Sequence, residues 1–346
     1  MTPLLNRFVT VRMTNGALLD ARIFPYTTHQ DLDLSWWGYF LEAEGQLYGV
    51  FGGKDQVPDA TRISEAALVN TMKRVLRHHY DPRRQSWQID GPVPALDAAP
   101  KTPRDHSYHG TFVRDRPHMQ KKDACLHCHQ VKDMLNASAV ADGSFTQAAF
   151  TQPWPLPENV GITLDRDDGL LVRSVRSGSA AARAGIRTGD RLVLAGNRKL
   201  FGQADFRGVL HRAPLGDARI PVGWTHEGAY RSAMLSMRDG WRETQVWWRK
   251  SVYDGVIGEW MGFFPNRGPN QGKGKLSIRP YMGYGGDPWR KVGLRPNMEI
   301  VAINGRDDDW NSRQLLTWFK LNHKKGDRVT LRVRGGKEFS LRLPFK

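Results

Sequence analysis

The strongest constraint on what this chain can fold into is an internal repeat. Ser177–Arg198 reads SGSAAARAGIRTGDRLVLAGNR and Gly285–Arg306 reads GGDPWRKVGLRPNMEIVAINGR, offset by 108 positions so that Gly185, Ile186 and Arg187 match Gly293, Leu294 and Arg295. Each copy runs on into a short apolar strand (Leu192–Ala195, Ile300–Ile303) and a turn (Gly196-Asn197, Asn304-Gly305). An amphipathic helix follows (Ala204–Arg212, Ser312–Leu321), then a closing strand after a Gly-Asp turn (Gly216-Asp217, Gly326-Asp327). The physical logic is the same twice. A helical turn leads to a glycine free to take positive φ, and a charged turn launches a buried strand. Asn297 stands where the first copy has Gly189. Asparagine is the next residue to tolerate the left-handed conformation, so the turn is expected to survive.

This pattern resembles bacterial PDZ domains, in which a stretch like SPAxxAGLxxGDxIxxING recurs. The resemblance covers Pro157–Met237 and Leu276–Pro344. It implies peptide binding by strand addition beside Ile162–Leu164, facing a helix that carries Phe206, Val209 and Leu210. The loop Glu158-Asn159-Val160-Gly161-Ile162 would hold a terminal carboxylate on free backbone N–H groups. The partner implied is a client protein or peptide C-terminus. The alternative is a unit that only packs. In the second copy the binding loop is not placed, because the preceding stretch is crowded with Trp260, Phe263, Phe264, Tyr281 and Tyr284. No Gly-x-Ser-x-Gly stretch accompanies the repeats, so an attached serine protease is excluded.

Upstream, Phe8–Met13 alternates apolar and polar residues as a strand does. Trp36–Leu41 and Gln46–Phe51 read as an aromatic-rich hairpin turning at Ala43-Glu44-Gly45. Ser64 is placed to cap a helix reaching about His79, with Leu68, Met72, Val75 and Leu76 on one face. This order resembles the second part of a thioredoxin domain. The resemblance implies a missing first strand and a missing helix bearing a reactive Cys-x-x-Cys. Pro3-Leu4-Leu5-Asn6 reads as the last turn of that helix, and no proline stands near Ser35, where thioredoxins place a cis-Pro. As a whole the chain resembles a bacterial family of thioredoxin-like/PDZ proteins, some with selenocysteine in the redox motif. That resemblance implies that Met1 is not the natural start. An export signal and a thiol or selenol oxidoreductase motif would lie upstream, and the protein would be periplasmic or exported. A redox-dead remnant kept for structure is the alternative.

Cys125-Leu126-His127-Cys128-His129 is the sharpest chemical signal. These are the chain's only two cysteines, so no disulfide framework is implied. The spacing suits covalent haem c, with Cys125 and Cys128 bonded to the haem and His129 as proximal iron ligand. His109, His118, Met119 and Met134 are the candidate distal ligands. Three other readings stand beside it. His106, His109, Cys125 and Cys128 form a possible structural zinc set. The cysteines could also be an exchanging thiol pair, favoured by His127, His129, Lys121 and Lys122, or an inert one.

The expected organisation is an α+β, mostly β multidomain chain. Residues 1–90 would be an incomplete thioredoxin-like α/β domain, and 91–154 a linker carrying the Cys-His motif. A first PDZ-like β-barrel would occupy 155–240, and an aromatic connector with a second PDZ-like β-barrel 241–346. Of the net charge of +16, +15 falls in residues 151–346, where 34 Lys and Arg meet 19 Asp and Glu. An anionic surface would feel that field, but no basic run or nucleic-acid motif is present. No apolar run approaches the ~18 residues of a membrane span.

Overall fold

The computed structural model of the chain describes residues 2–34, 36–53, 64–91, 93–99, 101–116, 119, 125–146, 151–255, 258–283 and 286–344. It contains two compact units, Met1–Thr244 and Gln245–Lys346.

The first unit opens with the helical turn α1 (Thr2–Leu5), then the antiparallel hairpin β1 (Trp36–Leu41) and β2 (Leu47–Gly53). The helix α2 (Glu65–His79) follows. Ser64 caps α2 as its position predicts, the hydroxyl accepting from the Ala67 N–H at 3.0 Å. Met72, Val75 and Leu76 are buried beneath the helix. Phe8–Met13 forms no strand. Val9 and Val11 are 96% and 79% exposed, since alternation without a neighbouring strand gives the apolar positions nothing to pack on. The thioredoxin-like expectation is thereby corrected. The β1–β2 sheet has two antiparallel strands and no further strand beside it among the described residues.

The Cys-His segment is packed structure and not a linker. The helices α3 (His109–Arg114) and α4 (Cys128–Ala141) bury Phe112, Leu126, Val131 and Met134 against Ala17, Leu19, Tyr26 and Leu32. The N-terminal residues therefore close a core over the motif.

The first repeat runs β3 (Ile162–Leu164), β4 (Val172–Val175), α5 (Ala180–Arg183), β5 (Arg191–Ala195), β6 (Arg198–Lys199), α6 (Gln203–Arg212), β7 (Ala218–His226) and β8 (Ala229–Met237). One sheet has the order β6-β5-β7-β8. The β3–β4 pair joins it through the single bridge Leu171–Arg191. In the second unit, after α7 (Lys250–Tyr253), come β9 (Phe264–Arg267), β10 (Ile278–Tyr281), α8 (Asp287–Lys291), β11 (Ile300–Ile303), α9 (Ser312–Asn322), β12 (Arg328–Val333) and β13 (Glu338–Arg342). Its five strands lie in the order β13-β12-β11-β10-β9. Apart from the short β6, chain order and neighbour order are the same in both copies.

These are open antiparallel meanders and not β-barrels. Neither β8 nor β13 pairs with the first strand of its copy, so no sheet closes. With 28% helix against 22% strand, the chain is not mostly β either. Two helices per copy cover the sheet face that closure would otherwise have to bury. A smaller correction concerns Asn297. Gly189 has φ 90°, but Asn297 is not left-handed. The turn survives with a different geometry. The Asp190 N–H bonds Arg187 O at 3.2 Å, and the Met298 N–H bonds Arg295 O at 3.1 Å.

Each meander has its own core. Val160, Ile162, Phe206, Leu210 and Trp224 are buried together in the first. Phe263, Trp289, Leu315, Phe319 and Leu331 are buried together in the second. Trp289 is fully buried and donates its indole N–H to Met261 O at 2.7 Å, so the polar end of the ring is satisfied.

Candidate functional site

Two places matter, the edge of β3 and the Cys-His turn. A short helical turn, Pro157–Val160, leads to Gly161 at φ 89°. A Cβ on Gly161 would lie 2.1 Å from Ser179 Cβ, so only glycine fits. Ser179 is held there because it caps α5, accepting from the Ala182 N–H at 3.1 Å.

From Gly161 the chain enters β3, which pairs with β4 on one side only. The Arg176 N–H bonds Gly161 O at 2.8 Å, and Thr163 sits opposite Ser174. The alternation of an antiparallel ladder then turns the N–H and C=O of Ile162 away from β4. Among the described residues neither group has a partner.

The side chains named from the sequence behave differently. Ile162, Leu164, Phe206, Val209 and Leu210 come together, but as buried core and not as the walls of a groove. The loop offers no ready carboxylate site. The Asn159 N–H is bonded to Leu156 O at 2.9 Å and the Gly161 N–H to Glu158 O at 3.0 Å. The Asn159 side-chain amide donates to Trp241 O and Glu243 O at 3.0 and 2.6 Å. Beside them Glu158 Oε2 is buried without a partner, and burial raises its carboxyl above the usual range. An incoming carboxylate would meet another carboxyl group here.

In the second unit a left-handed glycine, Gly262 at φ 85°, again precedes the first strand, so the loop that the sequence left unplaced is here. The surroundings of β9 differ from those of β3, because α9 packs close to β9.

The Cys-His turn is pinned by the N-terminal segment. Asn15 Oδ1 accepts from the Leu126 N–H at 3.2 Å and the Ala17 N–H at 2.9 Å. Leu126 O accepts from the Gly16 N–H at 2.7 Å. Leu126 is fully buried, and α4 starts at Cys128. Cys128 Sγ accepts from Gln30 Nε2 at 3.2 Å, and Gln30 Oε1 accepts from the Tyr39 hydroxyl at 2.6 Å. Burial pushes the Cys128 thiol up, with the Gln30 bond opposing. Cys125 Sγ lies 3.7 Å from Thr14 O, and both cysteines are free and partly exposed. The His127 and His129 rings stack with centroids 5.8 Å apart.

Met119 and Met134 are buried in the apolar core. His109 Nε2 is buried with no partner, and burial, then Arg104, lowers that imidazole. His106 Nδ1 accepts from the Tyr108 N–H at 3.2 Å. Among the described residues no three His, Cys, Asp or Glu side chains gather as metal ligands. The zinc set His106, His109, Cys125 and Cys128 is therefore not assembled. His118, Lys121 and Lys122 lie outside the described residues.

Sequence reasoning missed the ties that hold the first unit together. Asp31 and Arg207, both buried, form an ion pair at 2.7 Å across 176 positions. Asp205 accepts the Val50, Phe201 and Gly202 N–H groups at 2.8, 2.8 and 3.0 Å, tying β2 to α6. Only the position of Asp205 three residues after Gly202, as in a helix cap, hinted at such a role.

No protein-family model matches the chain, and no curated protein matches it. Among the described residues no helix is long and apolar enough to cross a membrane.

Proposed function

We propose that this chain is a polypeptide-binding adaptor in which the free edge of β3 receives an extended internal segment of a partner protein. The observation that carries this reading is the unpartnered N–H and C=O of Ile162, in a residue 1% exposed, so that binding must first uncover this edge. Strand addition would complete these bonds at about 1 kcal/mol each. An internal segment is favoured over a C-terminus because the Asn159 and Gly161 N–H groups are already bonded and the unpartnered Glu158 carboxyl stands beside them. A random heptapeptide library, made once with amidated and once with free C-termini, tests this on the full chain. Enrichment of amidated peptides supports the reading. Enrichment of the free acids alone, or of neither pool, contradicts it.

A second reading concerns the Cys-His turn, which would make the adaptor redox-capable. Cys125 and Cys128 are unbonded to each other, and the buried His109 Nε2 has no partner, so thiols and a nitrogen donor are available. Cys125 and Cys128 would attach haem c and His129 would ligate its iron, adding one-electron transfer to an exported protein. Co-expression with haem-attachment machinery should give a Soret band that Cys125→Ser and Cys128→Ser abolish. A colourless product that exchanges with a disulfide reagent would mark a thiol pair instead.

A further inference from the structure

We propose that the cleft between β2, β6 and α6 in the first unit is a binding site for a phosphate group. It is small, with about 20 Å³ of accessible space, and partly open to solvent. Its walls include His29, Tyr48, Arg198, Asp205, Gly208 and Arg212.

The positive charge in this cleft is only partly offset, by Asp205 and, for Arg198, by Asp90. Among the described residues neither Arg198 nor Arg212 has a carboxylate oxygen within 4.0 Å. Their partners are neutral carbonyls. Arg212 donates to Thr28 O at 3.0 Å, and Arg198 reaches Leu47 O at 3.4 Å. The carboxylate in the wall, Asp205, is committed to three backbone N–H groups. Elsewhere in the unit the buried Arg207 is paired with Asp31 at 2.7 Å, while the buried Arg242 bonds only neutral carbonyls and His211. In the cleft the fold brings two guanidiniums together and pairs neither directly with a carboxylate among the described residues.

The titration of the lining groups agrees with that picture. Desolvation in the crowded cleft, then Arg198, pulls Arg212 down to about 10. Burial, then Arg212 and Arg198, pulls His29 down to about 3. Burial is the larger cause in each case, and the smaller part, the field of the neighbouring arginines, is what an anion would relieve. Phosphate matches the site because two planar guanidinium forks can each address a pair of its oxygens.

Isothermal titration of the full chain with inorganic phosphate at constant ionic strength tests the site. One-site saturable binding should weaken about ten-fold or more in Arg198→Met and in Arg212→Met. It should be unchanged in Arg231→Met, an exposed arginine on β8. Arg198→Lys keeps the charge without the fork, and a partial loss there guards against a misfolded Met variant. No saturation up to about 10 mM, or equal binding by all variants, overturns the proposal. Phosphatidylcholine vesicles doped with phosphatidic acid form a separate arm. Capture by vesicles alone, lost in Arg198→Met, assigns the phosphate to a lipid headgroup and sustains the site. Capture retained in that variant overturns it.

Discussion

The two repeats share an element order, a sheet order and a left-handed glycine before the first strand, Gly161 and Gly262. They differ in what lies against the helix. In the second copy α9 packs on β9, and α7 packs on α9. Lys320 of α9 also donates to Gly255 O. In the first copy α6 makes no comparable approach to β3, and it is drawn to the β1–β2 hairpin, where Asp205 bonds the Val50 N–H. The same supersecondary unit thus holds its helix against the first strand in one copy and away from it in the other, according to what competes for the helix.

Four experiments break or sharpen this contrast. Trp289→Ala should cost the second unit about 4 kcal/mol and leave the first unit's melting unchanged, seen as one of two calorimetric transitions moving. Joint loss of both transitions would show the copies are not separate folding units. Asp205→Ala should cost the first unit about 3 kcal/mol, because three backbone N–H groups lose their acceptor. The corresponding change in α9, Gln314→Ala, removes only an acceptor for the Asn311 N–H and should cost about 1 kcal/mol, both read from denaturant midpoints. Ile162→Pro deletes an N–H that β4 does not use and should weaken capture of the enriched peptides about ten-fold, or about 1.4 kcal/mol. Equal capture would mean that β3 is not the docking strand.

The smallest effect is one of pH. His29 faces Arg198, Arg212 and Asp205 in the cleft, and its folded pKa of about 3 lies below the ordinary 6.5. A depressed base contributes stability that is present above 6.5 and lost as the pH falls toward 3. Relative to His29→Gln, the unaltered chain should lose about 1 kcal/mol between about pH 7 and pH 5, allowing for the partial exposure of the ring. Asp205, raised to about 6 by burial, has the opposite sign, since its contribution is present below 3.8 and lost as pH rises through 6. Subtracting the variant's curve removes that shared background.

What could be read from the sequence was local. The Ser64 cap, the helices near Ala204–Arg212 and Ser312–Leu321, and the turns at Gly196-Asn197 and Asn304-Gly305 each rest on a few adjacent residues. Phe8–Met13 failed because alternation says nothing about whether a neighbour exists. The barrels failed because closure depends on where β8 and β13 end, which no motif encodes. Gly262 was hidden because the second copy is longer between its left-handed glycine and the repeat, 262–293 against 161–185, shifting the offset from 108 to 101; the connection 268–277 supplies only part of that extra length. Phe206, Val209 and Leu210 were expected on a groove, but an apolar helix face reads alike whether it lines a groove or fills a core. The Asp31–Arg207 pair and the Arg198–Arg212 cleft bring together residues far apart in sequence, beyond any spacing rule.

Amide hydrogen exchange on the full chain, with and without an enriched amidated heptapeptide, tests the strand-addition claim most directly. The expected result is slower exchange at Ile162 with no change at Phe264. Protection confined to β9, or an Ile162 amide indifferent to the peptide, would contradict it.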